Sequence, residues 1–267
     1  ADGVLSIFAA DLDGDGDMDV LSASGGFEAD DKIAWYENDG SGGFGDQQVI
    51  TTEVEDPRSV FAADLDGDGN LDVLSASEED SKIAWYENDG AGGFGPQQVI
   101  TTAATNALSI FAADLDGDGD MDLLLGSGEI AWYENDGSGG FGDQQVITTD
   151  ADGARSVFAA DLDGDGDMDV LSASSRDDKI VWYEQSLPVL AVDTDVTTVA
   201  PGAGQDVIDI INIGGGIIPW SATVSSGDWI TLVNESGEDE TVDLEFTYEA
   251  NPDTTVRTAE IEVAADG

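Results

Sequence analysis

Asp11 to Asp19 reads DLDGDGDMD, and the phrase returns at Asp64 (DLDGDGNLD), Asp114 (DLDGDGDMD) and Asp161 (DLDGDGDMD). Each copy follows a short apolar run ending in Phe-Ala-Ala and precedes a second apolar run. Carboxylates at every second position of a tight loop repel one another strongly, so the loop calls for a cation among them. Calcium takes six to eight oxygen ligands in flexible geometry, and carboxylates at positions 1, 3 and 5 would wrap one face of it. Glycines at positions 4 and 6, here Gly14 and Gly16, let the backbone turn sharply around the ion. Position 7 is expected to offer its main-chain carbonyl, which fits its being Asp17, Asn70, Asp120 and Asp167 in the four copies, and position 9 returns a further carboxylate. A helix-loop-helix calcium site needs a glutamate at position 12, whereas these loops hold Ser22, Ser75, Leu125 and Ser172 there. The loop therefore belongs between two strands.

Outward from the loops, the first 185 or so residues form a fourfold repeat with a period near 50, the signature of a propeller, solenoid or array. Each Trp-Tyr-Glu landmark (Trp35, Trp85, Trp132) precedes the next loop by 29 residues, whereas the distance from loop to landmark varies between 18 and 24. All the length change falls in one connection, GGFEADD at Gly25 to Asp31 in the first copy and little more than Gly126 to Gly128 in the third. Such a segment reads as a surface loop on one rim. The first copy reads as four strands, Ser6 to Ala10, Val20 to Ser24, Lys32 to Glu37 and Gln47 to Thr52, the last pair joined by a glycine-rich Asn-Asp-Gly turn at Asn38 to Gly43. These strands are apolar on both faces, so each four-stranded unit must be covered on both sides. Blades stacked face to face around an axis achieve this, and the expected fold is an all-β propeller of four blades. The Trp-Tyr pairs then serve blade packing.

The fourth copy stops after its third strand, Ile180 to Glu184, with no counterpart of QQVITT. Its blade is expected to be three-stranded, completed by the following segment, or completed by another chain. Leu187-Pro188 marks the boundary between an expected propeller over 1–186 and a second domain over 187–267. That domain reads as an antiparallel sandwich of six or seven strands. Val242, Leu244, Phe246 and Tyr248 point inward along one strand, and Ala259, Ile261 and Val263 along another. Trp220 and Trp229 read as core aromatics rather than a sugar platform.

Composition narrows the chemistry. The 267 residues carry 59 acidic against 7 basic side chains, a formal charge of -52, which excludes nucleic acid as a partner. There is no cysteine and no histidine, which removes disulfides, Cys/His zinc sites and every Ser-His or Cys-His nucleophile. A divalent ion in each loop offsets only a small part of the acidity. Adaptation to high ionic strength and an ordinary acidic secreted protein both fit the remainder. No apolar run is long enough for a transmembrane segment and no basic leader opens at Ala1, so the chain is expected to be soluble; a mature form whose signal peptide is missing fits, and the expected location is secreted or on the cell surface.

FAADLDGDGDMDVL followed by IAWYENDGSGGFG resembles the FG-GAP or VCBS-type repeat and is similar to the calcium-bearing blades of integrin α-subunit propellers. The resemblance spans Val4 to about Glu184. It implies four calcium ions, held by Asp11, Asp13, Asp15, Asp17 and Asp19 in the first copy, with Asp17 acting through its carbonyl. The equivalents are Asp64, Asp66, Asp68, Asn70 and Asp72, then Asp114, Asp116, Asp118, Asp120 and Asp122, then Asp161, Asp163, Asp165, Asp167 and Asp169. Integrin propellers have seven blades and this chain four copies, so either a four-bladed ring or part of a larger array fits. NIGGGIIPW (Asn212 to Trp220), SGDWITL (Ser226 to Leu232), Ser236-Gly237, Asn251 and Arg257 resemble BACON-type, immunoglobulin-like modules. These are proposed sugar binders or spacers.

The expectation is a calcium-stabilised, non-enzymatic adhesion or binding protein of a microbial surface, with a carbohydrate or other cell-surface ligand. The alternative is a structural subunit of an extracellular filament or polymer, a homo-oligomer assembled through the open blade edge and the terminal sandwich. A polysaccharide-acting enzyme is the third reading, disfavoured by the lack of histidine and the scarcity of lysine and arginine. No catalytic residue is assigned.

Overall fold

The computed structural model describes residues 3–26, 30–185, 190–192, 203–212, 220–226, 228–234, 236–237, 241–251 and 259–265. Residues 27–29 of the first variable connection, Leu187-Pro188, the middle of NIGGGIIPW and Arg257 lie outside them. The chain divides into two compact units, 1–185 and 186–267.

The first unit is four antiparallel sheets in sequence order. The first holds β1 (Val4–Ala10), β2 (Asp19–Ser24), β3 (Lys32–Tyr36) and β4 (Gln48–Thr51); the second β5 (Pro57–Ala63), β6 (Asp72–Ser77), β7 (Lys82–Tyr86) and β8 (Gln98–Thr101). The third holds β9 (Ser109–Ala113), β10 (Asp122–Gly126), β11 (Ile130–Tyr133) and β12 (Gln145–Thr148). The fourth has β13 (Ala154–Ala160), β14 (Asp169–Ser174) and β15 (Lys179–Tyr183), with no fourth strand among the described residues. Strands therefore fall within about two residues of the sequence expectation. The register places each aspartate loop between the first two strands: Ala10 pairs with Asp19, Ala63 with Asp72, Ala113 with Asp122 and Ala160 with Asp169.

Strands apolar on both faces are buried on both faces. β6 (DVLSAS) and β10 (DLLLG) are buried at every position. Three cores lie between successive blades. The first joins Leu12, Leu21, Ile33 and Trp35 to Val60, Val73 and Tyr86; the second joins Leu65, Leu74, Ile83 and Trp85 to Ile110, Leu123 and Tyr133; the third joins Leu115, Leu124 and Ile130 to Val157 and Val170. Phe8, Phe61, Phe111 and Phe158 form a ladder along the first strands, with ring centroids 4.4, 4.8 and 4.7 Å apart, at the short end of the separations that tilted aromatic pairs favour. The Trp-Tyr pairs do serve blade packing, Trp35 and Trp85 facing the following blade and Tyr86 and Tyr133 the preceding one.

The blades form an open stack. Ile7 on the first blade and Phe158, Leu162, Ile180 and Trp182 on the last are exposed, although their counterparts elsewhere are largely covered.

Among the described residues of the second unit there are two antiparallel sheets. One orders β16 (Leu190–Val192), β17 (Gly204–Asn212), β21 (Thr241–Tyr248) and β19 (Ile230–Leu232); the other orders β20 (Ser236–Gly237), β18 (Trp220–Ser226) and β22 (Glu260–Ala265). Trp220, Ala222 and Leu244 form its core with Leu232, Ile261 and Val263 against them, so Trp220 is a core aromatic.

Candidate metal centre

In each blade the first aspartate organises the loop around itself. Asp11 accepts the N–H of Gly14 at one oxygen (2.8 Å) and of Gly16 at the other (3.0 Å). Asp64 repeats this with Gly67 and Gly69, Asp114 with Gly117 and Gly119, and Asp161 with Gly164 and Gly166. Gly14 and Gly16 hold φ of 76° and 96°, the left-handed region that side chains with a Cβ rarely enter. Asp13 accepts the N–H of Asp15, and Asp15 that of Asp17, so the chain curls with its carboxylates turned to one side.

Position 9 does something the sequence reading did not foresee. Asp19, Asp72, Asp122 and Asp169 are fully buried. Asp19 accepts the N–H of Leu12 (2.9 Å) and of Asn38 (2.8 Å), pinning the loop to the second residue after β3; Asp72 holds Leu65 and Asn88, Asp122 holds Leu115 and Asn135, and Asp169 holds Leu162 and Gln185. The asparagine after each Trp-Tyr-Glu extends this tie to the next blade. The Asn88 amide donates to Leu71 in its own blade and to Leu12 in the one before, and Asn135 does the same to Met121 and Leu65. The repeated ENDG was the available signal, and Gln185 takes the role in the fourth copy by donating to Leu115.

Ligand-capable oxygens converge in every loop. Asp11, Asp13 and Asp15 in the first blade offer oxygens within 4.8 Å of one another, as do Asp64, Asp66 and Asp72, then Asp114, Asp116 and Asp122, then Asp161, Asp163 and Asp169. Oxygens at 2.3–2.6 Å from one calcium ion are at most roughly 5 Å apart, so these separations fit a shared cation. Positions 1 and 3 thus meet in all blades, joined by position 5 in the first and by position 9 in the others. Position 7 turns elsewhere: the side chains of Asp17, Asn70 and Asp120 lie against Gly40, Gly90 and Gly137 of the second turn, where a Cβ would collide with them.

The electrostatics carry the mark of crowded carboxylates. Burial pushes Asp72 up to about 7 and Asp122 up to about 6, against the pull of the N–H groups they accept, whereas at Asp169 in the last blade burial is outweighed by the N–H groups of Gln185 and Leu162 and the carboxyl is lowered. Asp13, Asp116 and Asp163 are also raised, first by desolvation and then by neighbouring carboxylates. By contrast the Ser41 hydroxyl, followed by backbone N–H groups, lowers exposed Asp39 in the second turn. The second turn is a hydrogen-bonded Asx turn, while the first gathers charge that only a cation or protons can offset.

A stack of three four-stranded blades and one three-stranded blade, with an acidic loop at one hairpin of each, defines a class of repeat propeller. Residues 11–75, 64–125 and 123–172 match the model of the FG-GAP-like repeat, and the chain belongs to that family. Residues 219–267 match the BACON model, described as "Putative binding domain, N-terminal". No curated protein matches the chain. Among solved structures it is similar to a lectin of Agrocybe aegerita that recognises non-reducing terminal N-acetylglucosamine, at 24% identity and a TM-score of 0.47 over 62% of this chain and 45% of that one. The chain thus spans under half the length of that lectin chain.

Proposed function

We propose that this is an extracellular, non-enzymatic binding protein whose propeller unit is stapled by calcium, one ion per loop, and which presents its ligand site at the opposite rim. The metal would be held by the carboxylates at positions 1, 3, 5 and 9 and the position 7 carbonyl of each loop, and it would add structural rigidity rather than reactivity. Binding to the folded state alone stabilises it by about 2.7 kcal/mol per site at a hundredfold excess over Kd.

The observation that carries the binding reading is a cavity of about 250 Å³ lined by Arg58, Glu78, Asn106, Ser127, Arg155 and Arg176, among others. Three of the chain's seven basic residues gather there, in a molecule of net charge -52. It lies where the first strands begin and the length-varying connections turn, away from the aspartate loops. Arg58 is engaged by Asp56 and Glu78, and Arg176 by Asp152. Arg155 donates to the Ser175 hydroxyl and, among the described residues, has no carboxylate in salt-bridge reach. Such a lining suits a hydroxyl-rich ligand carrying an acidic group, an acidic carbohydrate being the fitting class.

Calorimetric titration of neutral and acidic oligosaccharides, in calcium, tests this on the wild type and Arg155→Gln. The expected result is binding of an acidic glycan, weakened roughly tenfold or more in the variant by loss of a charge-assisted contact. Absence of glycan binding, binding indifferent to Arg155, or cleavage of the glycan would each overturn it. The filament reading keeps one supporting observation, the outer edge of β15, which pairs with no strand among the described residues.

A further inference from the structure

The three internal blade interfaces are copies of one design. In each, the serine of the earlier blade's first strand accepts an N–H from the later blade: Ser6 from Val60 (3.3 Å), Ser59 from Ile110 (3.2 Å) and Ser109 from Val157 (3.1 Å). In each, the carbonyl of the leucine at loop position 2 accepts a side-chain amide: Leu12 from Asn88 (2.8 Å), Leu65 from Asn135 (2.9 Å) and Leu115 from Gln185 (3.1 Å). In the first two, a glycine of the later blade's second turn lies against the earlier blade's tryptophan, Gly92 on Trp35 and Gly139 on Trp85, leaving no room for a Cβ. The phenylalanine ladder runs through all three.

The two ends of the stack carry the unmatched halves of this design. On the last blade Ile180 is 83% and Trp182 46% exposed, whereas Ile33 and Ile83 are at 0% and Trp35 and Trp85 at 3%. Leu162 is 47% exposed, against 0–1% for Leu12, Leu65 and Leu115. On the first blade Ile7 is 69% exposed, against 4–5% for Val60, Ile110 and Val157. Among the described residues the Asn38 amide donates only to Met18 of its own blade, where Asn88 and Asn135 also reach across. Gly42, the counterpart of Gly92, has open space where its tryptophan would be.

We propose that the outer face of the last blade seats on the outer face of the first blade of a second copy of this chain, as a fourth instance of the internal interface. Ser156 would accept the Ile7 N–H, the Leu162 carbonyl the Asn38 amide, Phe158 would extend the ladder to Phe8, and Trp182 would take Gly42. The contact is heterologous, joining different patches of the two copies. Two copies joined at both ends would hold eight blades, within the range of closed propellers. It differs from pairing at the β15 edge, because it uses side chains of β1 and β15 and no new ladder. It stands independently of the ligand assigned to the rim. Because each copy is strongly acidic and the contact apolar, added salt should tighten it by screening.

The test is molar mass by light scattering in calcium and high salt, for the wild type, Ile7→Asp, Ile180→Asp and an equimolar mixture of the two variants. Both side chains are exposed, so at dilutions where the wild type is monomeric both variants should melt like it. The expected result is association of the wild type, strengthened by salt, with each variant monomeric alone. The mixture should form a one-to-one dimer that grows no further, because one sound face of each kind remains. A monomeric wild type overturns the proposal, as a further element covering the faces would also make it. So does association that survives Ile7→Asp, the outcome for edge pairing or for two last blades meeting each other.

Discussion

Replacing Asn88 with alanine isolates what the link between blades contributes. Its amide donates to the Leu12 carbonyl at 2.8 Å and the Leu71 carbonyl at 2.9 Å, and its oxygen accepts the Gly90 N–H at 3.1 Å, all with the side chain 2% exposed. A net hydrogen bond is worth about 1 kcal/mol, and a buried group left without a partner costs about 1–3 kcal/mol. Asn88→Ala should therefore cost about 2–4 kcal/mol, and Asn135→Ala a similar amount. Asn38 holds the same place in the first blade, but among the described residues its side chain makes only the Met18 bond (3.0 Å) and a long contact to the Gly40 N–H (3.3 Å), and water can replace both. Asn38→Ala should cost about 1 kcal/mol or less by the same reckoning. Thermal unfolding of monomeric protein in excess calcium reads the difference, at about 2–4 °C per kcal/mol for a unit of this size. Equal losses for Asn38→Ala and Asn88→Ala would refute the claim that the asparagine binds one blade to the next.

Two more outcomes follow from the same geometry. A Cβ on Gly92 or Gly139 would sit 2.4 Å from the indole of Trp35 or Trp85, while one on Gly42 meets nothing within 4 Å, although all three hold positive φ. Gly92→Ala and Gly139→Ala should each destabilise by about 1–3 kcal/mol more than Gly42→Ala in denaturant melts, and equal losses would show that backbone conformation alone matters there. In chelator, stability should fall as pH rises from about 4 to about 7. The folded state keeps protons on Asp72 (about 7) and Asp122 (about 6) that an unfolded carboxylate near 3.8 has released, so ionising them costs folding energy. Asp39, Asp136 and Asp169 act in the opposite sense, but at pH below this window. Saturating calcium should reverse the slope, because it favours the ionised loops, and a chelated protein more stable at pH 8 than at pH 5 would contradict the crowding argument.

Much of the propeller unit could be read from the chain, because its signals are local. A hairpin that needs positive φ at Gly14 and Gly16 announces itself, and strands such as VLSIFAA and DVLSAS, apolar on both faces, require cover on both. The loop aspartates were likewise visible, and the structure gathers positions 1 and 3 of every copy. What escaped is what depends on neighbours distant in sequence. Asp19 looks like one more ligand in DLDGDGDMD, yet its burial and its hold on Asn38 arise only once β3 returns beside it. Gly92 looked like a turn residue, and its packing on Trp35 of another blade has no local trace. The open ends are the clearest case. Ile33, Ile83, Ile130 and Ile180 occupy one motif position, and whether a following blade covers them separates full burial from 83% exposure. The residue at this position is isoleucine in all four copies, so the motif position alone does not mark that difference.

The central claim, that each blade is stapled by a cation in its aspartate loop, is tested most directly by calorimetric titration of calcium into chelator-treated protein near neutral pH. Four convergent carboxylate clusters predict four ions per chain at saturation, with the heat of binding lost when Asp11, Asp64, Asp114 and Asp161 are changed to alanine. No calcium uptake, or uptake unchanged by those four substitutions, would contradict the account.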